Sequence, residues 1–143
     1  MRLSDEPEYR LAIPATLDGD FTTARANLKT LISRAQAEGD TLTMGYLLQV
    51  LGDMEAHAGD TKMAHSLHEQ ALAMDPNDPL PLLLYAQGLL RAFHQPDLAK
   101  SRLAEAEVLV KSGRWKPGKD EPSREWYERE FKNLRSEIIK KWP

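Results

Sequence analysis

The sequence contains no cysteine, which excludes disulfides, thiolate metal sites and a cysteine nucleophile. Strand signals are missing as well: β-branched residues are sparse, and no alternating apolar–polar run is bounded by turn residues. The longest apolar run, LPLLLYA at residues 80–86, is far too short to span a bilayer. The opening MRLSDEPEYR is polar and no apolar h-region follows it, so no secretory signal is visible and a cytoplasmic, reducing setting is expected. Neither a GxSxG elbow nor a glycine-rich phosphate loop occurs. No cofactor is expected.

What is present is ordinary for a globular chain. The 143 residues are 41% hydrophobic and 29% charged, enough for one domain over 1–143 with its own core. The net charge of −3 conceals an asymmetry: residues 1–78 hold 6 basic and 13 acidic side chains, net −7, whereas 79–143 hold 13 and 9, net +4. Such a dipole can orient a partner or a second copy of the chain, so self-association stays open. The overall balance argues against a nucleic-acid binder.

Helix formers dominate, and the breakers are spaced. Gly19-Asp20, Gly39-Asp40 and Gly59-Asp60 recur every 20 residues; Pro76-Asn77-Asp78-Pro79 and Gln95-Pro96-Asp97 follow. Glycine fits just past a helix end, in the left-handed conformation, and aspartate suits the start of the next helix, where it accepts orphan N–H groups. The spacing predicts helices over 6–17, 21–38, 41–58, 61–74, 79–93, 97–111 and 122–141, in an all-α chain of antiparallel neighbours. Pro14 weakens the first of these. The stretch 112–121 is the one irregular loop.

The run from Leu47, LLQVLGDMEAHAGDTKMAHSLHEQALAMDPND, carries Leu48, Leu51 and Gly52, a Gly59-Asp60 turn, Ala64, Ala71-Leu72 and a closing Asp75-Pro76. This pattern resembles the tetratricopeptide repeat, a helix–turn–helix unit of about 34 residues. Leu82, Tyr85, Ala86, Ala99, Leu103 and Ala106 continue it. Leu11-Ala12, Gly19-Asp20, Ala24 and Leu28 form a partial earlier copy. The resemblance implies a solenoid of about three helix pairs, at about 6–38, 41–78 and 79–111. The helix 122–142 would cap it through the stripe Tyr127, Phe131, Leu134, Ile138, extended by Trp142.

Three of the four histidines, His57, His65 and His68, crowd into EAHAGDTKMAHSLHE. A metal-dependent enzyme is the sharp reading of that cluster. However, HSLHE matches neither HExxH nor HxxEH. Under the repeat alignment His68 fills a core position, His65 is solvated on the outer helix and His57 faces the groove, so no metal site and no catalysis are expected. In the loop, Arg114, Trp115 and Lys116 suggest either an interface or a tryptophan folded back onto the cap helix.

In the family, the first helices of successive pairs line a concave, peptide-gripping surface. Carried over, it holds Tyr46, Gln49, Asp53, Ala56 and His57, then Leu83, Gln87, Leu90 and Arg91, with Tyr9 joining. The positions matching the family's basic clamp for acidic tails are Tyr9, Ile13, Val50, Leu80 and Leu84; none is basic. The resemblance therefore implies a non-catalytic module for a protein or peptide partner, an adaptor or assembly chaperone, with no nucleic acid and no membrane. An immunity protein that neutralises a cognate toxin is the alternative.

Overall fold

A computed structural model describes residues 1–118 and 121–142. The described residues form a short 3-10 turn, Leu3–Asp5, and seven α-helices: α1 (Pro7–Leu17), α2 (Phe21–Ala37), α3 (Thr41–His57), α4 (Thr61–Met74), α5 (Pro79–Arg91), α6 (Pro96–Lys111) and α7 (Arg124–Lys141). No strand occurs among them. Every boundary lies within two residues of the expected one. The chain divides into two compact units, Met1–Met74 and Asp75–Pro143.

In the first unit α1 packs on α2, α2 on α3 and α3 on α4. Three Gly-Asp pairs make these turns. Gly19, Gly39 and Gly59 take φ of 79°, 70° and 92°. Each following aspartate donates its N–H back across the helix end, to Ala15, Ala35 and Glu55, at 2.8–2.9 Å. Its carboxylate then accepts from the third residue on: Thr23, Thr43 and Met63, at 3.1–3.2 Å. One aspartate thus closes one helix and opens the next, which keeps the linkers short and forces antiparallel neighbours. The core gathers Leu28, Leu31, Leu47, Leu51 and Met54, all nearly or fully buried.

Pro14 lies inside α1 without ending it, so the helix expected over 6–17 forms. The proline sits on the exposed side. There the Arg10 carbonyl, which loses its intrahelical donor, meets water instead of core.

The Asp40 cap is also an ion pair. The Met1 ammonium donates to Asp40 Oδ2 at 2.9 Å, and Thr43 Oγ1 donates to the same oxygen at 2.7 Å. These bonds hold the Asp40 carboxyl at about 2, below its ordinary 3.8. A depressed carboxylate contributes stability that is present above the ordinary value and is lost as the pH falls through the folded one. Wild type is therefore expected to lose more of its urea midpoint between about pH 4 and pH 2 than Asp40→Asn, which keeps a capping oxygen. Parallel acid profiles for the two chains would refute this.

In the second unit α5 packs on α6, and α7 on both. The predicted stripe Tyr127, Phe131, Leu134, Ile138 is buried along its whole length, at 4% exposure or less. Trp142 does not extend it. The helix ends at Lys141, Trp142 turns to φ −135°, and its side chain stays 42% exposed. Trp115 folds back from the loop to 7% exposure, its ring edge-on to Tyr127 at 5.0 Å.

Between α5 and α6 no glycine is available, and His94 takes the left-handed position at φ 56°. A side chain there costs about 1–2 kcal/mol, partly offset by the greater unfolded-state freedom of a replacing glycine. His94→Gly is expected to raise the urea midpoint, with a gain of up to about 1 kcal/mol. A fall would show that the imidazole makes a contact worth more than the strain.

Candidate functional site

The expected groove residues fall in both units and do not share one fate. In the second unit Leu83 and Leu90 are fully buried. Their expected place on an open groove is corrected: α5 is apolar nearly all round, so its leucines are packed rather than displayed. Arg91 grips Glu137 of α7 through two hydrogen bonds, at 2.9 and 3.1 Å. Gln87 is half-buried. Of the loop residues, Arg114 and Lys116 are exposed, but Trp115 belongs to the core of its unit.

In the first unit the grouping is tighter. The two hairpin turns make α1 and α3 run in the same direction, and Tyr9 Oη meets Tyr46 Oη at 3.2 Å. Burial, and then this bond, pushes the Tyr9 phenol above its usual range. On α3, Leu42, Tyr46, Val50, Asp53 and His57 are spaced 4, 4, 3 and 4, one helical face. On α1, Ile13 follows Tyr9 by one turn. Tyr46 and Ile13 are each 37% exposed and Leu42 is 58% exposed. The sequence reading had Tyr9, Tyr46, Asp53 and His57 on this surface. It missed Leu42, whose signal was the same four-residue step, one turn before Tyr46.

Gln49 is not on the face. It is 2% exposed and turned toward α4, where it bonds Nδ1 of His68. His68 is fully buried, and its Nε2 lies 2.9 Å from Asp53 Oδ1. The ring is thus pinned from both sides by α3, as a core histidine. It also lies against Gly52: a Cβ built there would stand 2.7 and 2.8 Å from the imidazole and 3.2 Å from the Ala64 carbonyl. Gly52 is small so that His68 can fit.

The crowded histidine segment comes apart in space. His57 is exposed at the end of α3, His65 is half-buried on α4 and His68 is interior. Glu55, from the same stretch, points to α2 instead. Arg25 clamps it through Nε and Nη2 at 2.9 and 2.7 Å, leaving Glu55 only 5% exposed. Among the described residues no group of three or more such side chains is placed to hold a metal ion. None of the described helices is long and apolar enough to cross a membrane.

No protein-family model, curated protein or solved structure matches the chain.

Proposed function

We propose that the protein is a non-catalytic binding module for a protein or peptide segment, acting as an adaptor or assembly chaperone. In this reading its helix pairs stack as a short tetratricopeptide-like solenoid closed by α7. The observation that carries the reading is the open α1–α3 face. Two parallel helices present Ile13, Leu42 and a bonded Tyr9–Tyr46 pair side by side. Single exposed apolar side chains are ordinary on a protein surface, but a strip continuous across two helices marks a contact surface. Tyrosine suits such a place, since its ring buries much area at little entropic cost while its hydroxyl still bonds.

The test is a titration of the partner recovered with the wild-type chain and identified by mass spectrometry. Tyr46→Ala and Leu42→Ser are expected to weaken binding about tenfold or more. Ser136→Ala, on the exposed side of α7, should leave it unchanged. Circular dichroism should match wild type in all three. Equal affinity across the set would reject the α1–α3 face.

A further inference from the structure

We infer that the α1–α3 face takes a cationic amphipathic segment, one whose apolar side chains are followed by a lysine or arginine that docks on Asp53. The inference rests on the reading of that face as a binding surface, and it names the chemistry of the occupant.

Charge complementarity carries it. The first unit holds 6 basic and 11 acidic side chains, net −5. Its side-chain cations are engaged by other groups or lie on other helices. Arg25 is bound to Glu55, Arg34 to Glu6 and Glu8, Arg2 to Asp5, and Arg10 to the Ser4 carbonyl. Lys29 and Lys62 lie on α2 and α4. The one acid in the α3 stripe, Asp53, is held in place by buried His68 yet keeps 40% of its side chain exposed. A carboxylate fixed by its own packing forms an ion pair without the entropic cost that weakens mobile surface pairs.

Helix direction adds to the same end. Because α1 and α3 run in parallel, both bring their C-terminal ends, the negative ends of their macrodipoles, to the Asp53 side of the face. Exposed Asp18 stands just beyond α1 there. The opposite end holds Leu42, Tyr9 and Tyr46. The face is therefore bipartite, apolar at one end and anionic at the other. Seven residues of α3 separate Tyr46 from Asp53, a distance of about 10 Å. In the occupant that spans roughly seven residues of helix or three of extended chain. An acidic segment would meet the carboxylates of Asp53 and Asp18 at that end.

Two fluorescein-labelled peptides of about four helical turns test this. They share one pattern of leucines and alanines and differ only in carrying lysine or glutamate at the charged positions. Fluorescence anisotropy follows each against wild type, Asp53→Asn and Tyr46→Ala. Asp53→Asn retains an oxygen for His68 and removes only the charge. The lysine peptide is expected to bind wild type, to weaken about tenfold on Asp53→Asn, and to weaken as salt rises. Three results would overturn the inference: no binding of the lysine peptide, equal binding of the glutamate peptide, or indifference to Asp53→Asn. If Tyr46→Ala weakens both peptides while Asp53→Asn weakens neither, the face stands and only its charge preference fails. Binding that ignores Tyr46→Ala removes the face as well.

Discussion

Gly52→Ala is expected to lower the unfolding free energy by about 3 kcal/mol, from overpacking and from a disturbed buried hydrogen bond. The added methyl would stand 2.7 Å from the His68 ring. A flexible surface side chain could swing away. His68 cannot do so freely, because it is fully buried and both ring nitrogens are engaged, by Gln49 and Asp53. Moving it breaks at least one of those bonds inside the core. Gly45 on the same helix supplies the control. There a Cβ would meet only the Met74 sulfur, at 3.8 Å, an ordinary contact. Gly45→Ala should therefore stabilise by about 0.5–1 kcal/mol through helix propensity alone. Urea unfolding of the two variants should move in opposite directions. A Gly52→Ala midpoint at or above wild type would show that the helix pair has slack the distances do not reveal.

Trp115→Ala should cost about 3 kcal/mol, in the range of large aromatic truncations in a core. The residue lies in a loop, where a truncation is usually mild. Here the indole is 7% exposed and edge-on to Tyr127, which itself meets Phe131 at 5.8 Å. Removing it empties the space beside the α7 stripe and frees the loop. The neighbouring Arg114→Ala, exposed, should change stability by less than about 0.5 kcal/mol. Denaturant titration of both variants checks the contrast. A Trp115→Ala chain as stable as Arg114→Ala would return the tryptophan to the surface and revive its reading as an interface residue.

The helices were legible because their punctuation is local. A Gly-Asp pair supplies both a left-handed stop and a capping start, and both effects act within a few residues. The 4–3–4 stripe of α7 was legible for a similar reason, since period alone defines a buried face. The candidate site was half legible. Tyr46, Asp53 and His57 share a face by spacing, and Tyr9 joins them across space through its bond to Tyr46. Gln49 sits one step off that stripe and turned inward. Leu83 and Leu90 did not follow the expectation either, because spacing names a face without saying what covers it. Position 94 was missed because histidine carries no local signal for positive φ; the turn imposes it.

The sequence by itself determined an all-helical chain, the ends of its helices and which side of each is apolar. These follow from backbone sterics, capping and period, which need no distant partner. The tertiary structure decided what each polar side chain does. Glu55 found Arg25, His68 found Gln49 and Asp53, and Arg91 found Glu137. Those pairings join residues 15 to 46 positions apart, and only packing sets which of several carboxylates and cations meet. The same packing separated three neighbouring histidines and left Asp53 held at the edge of an open face.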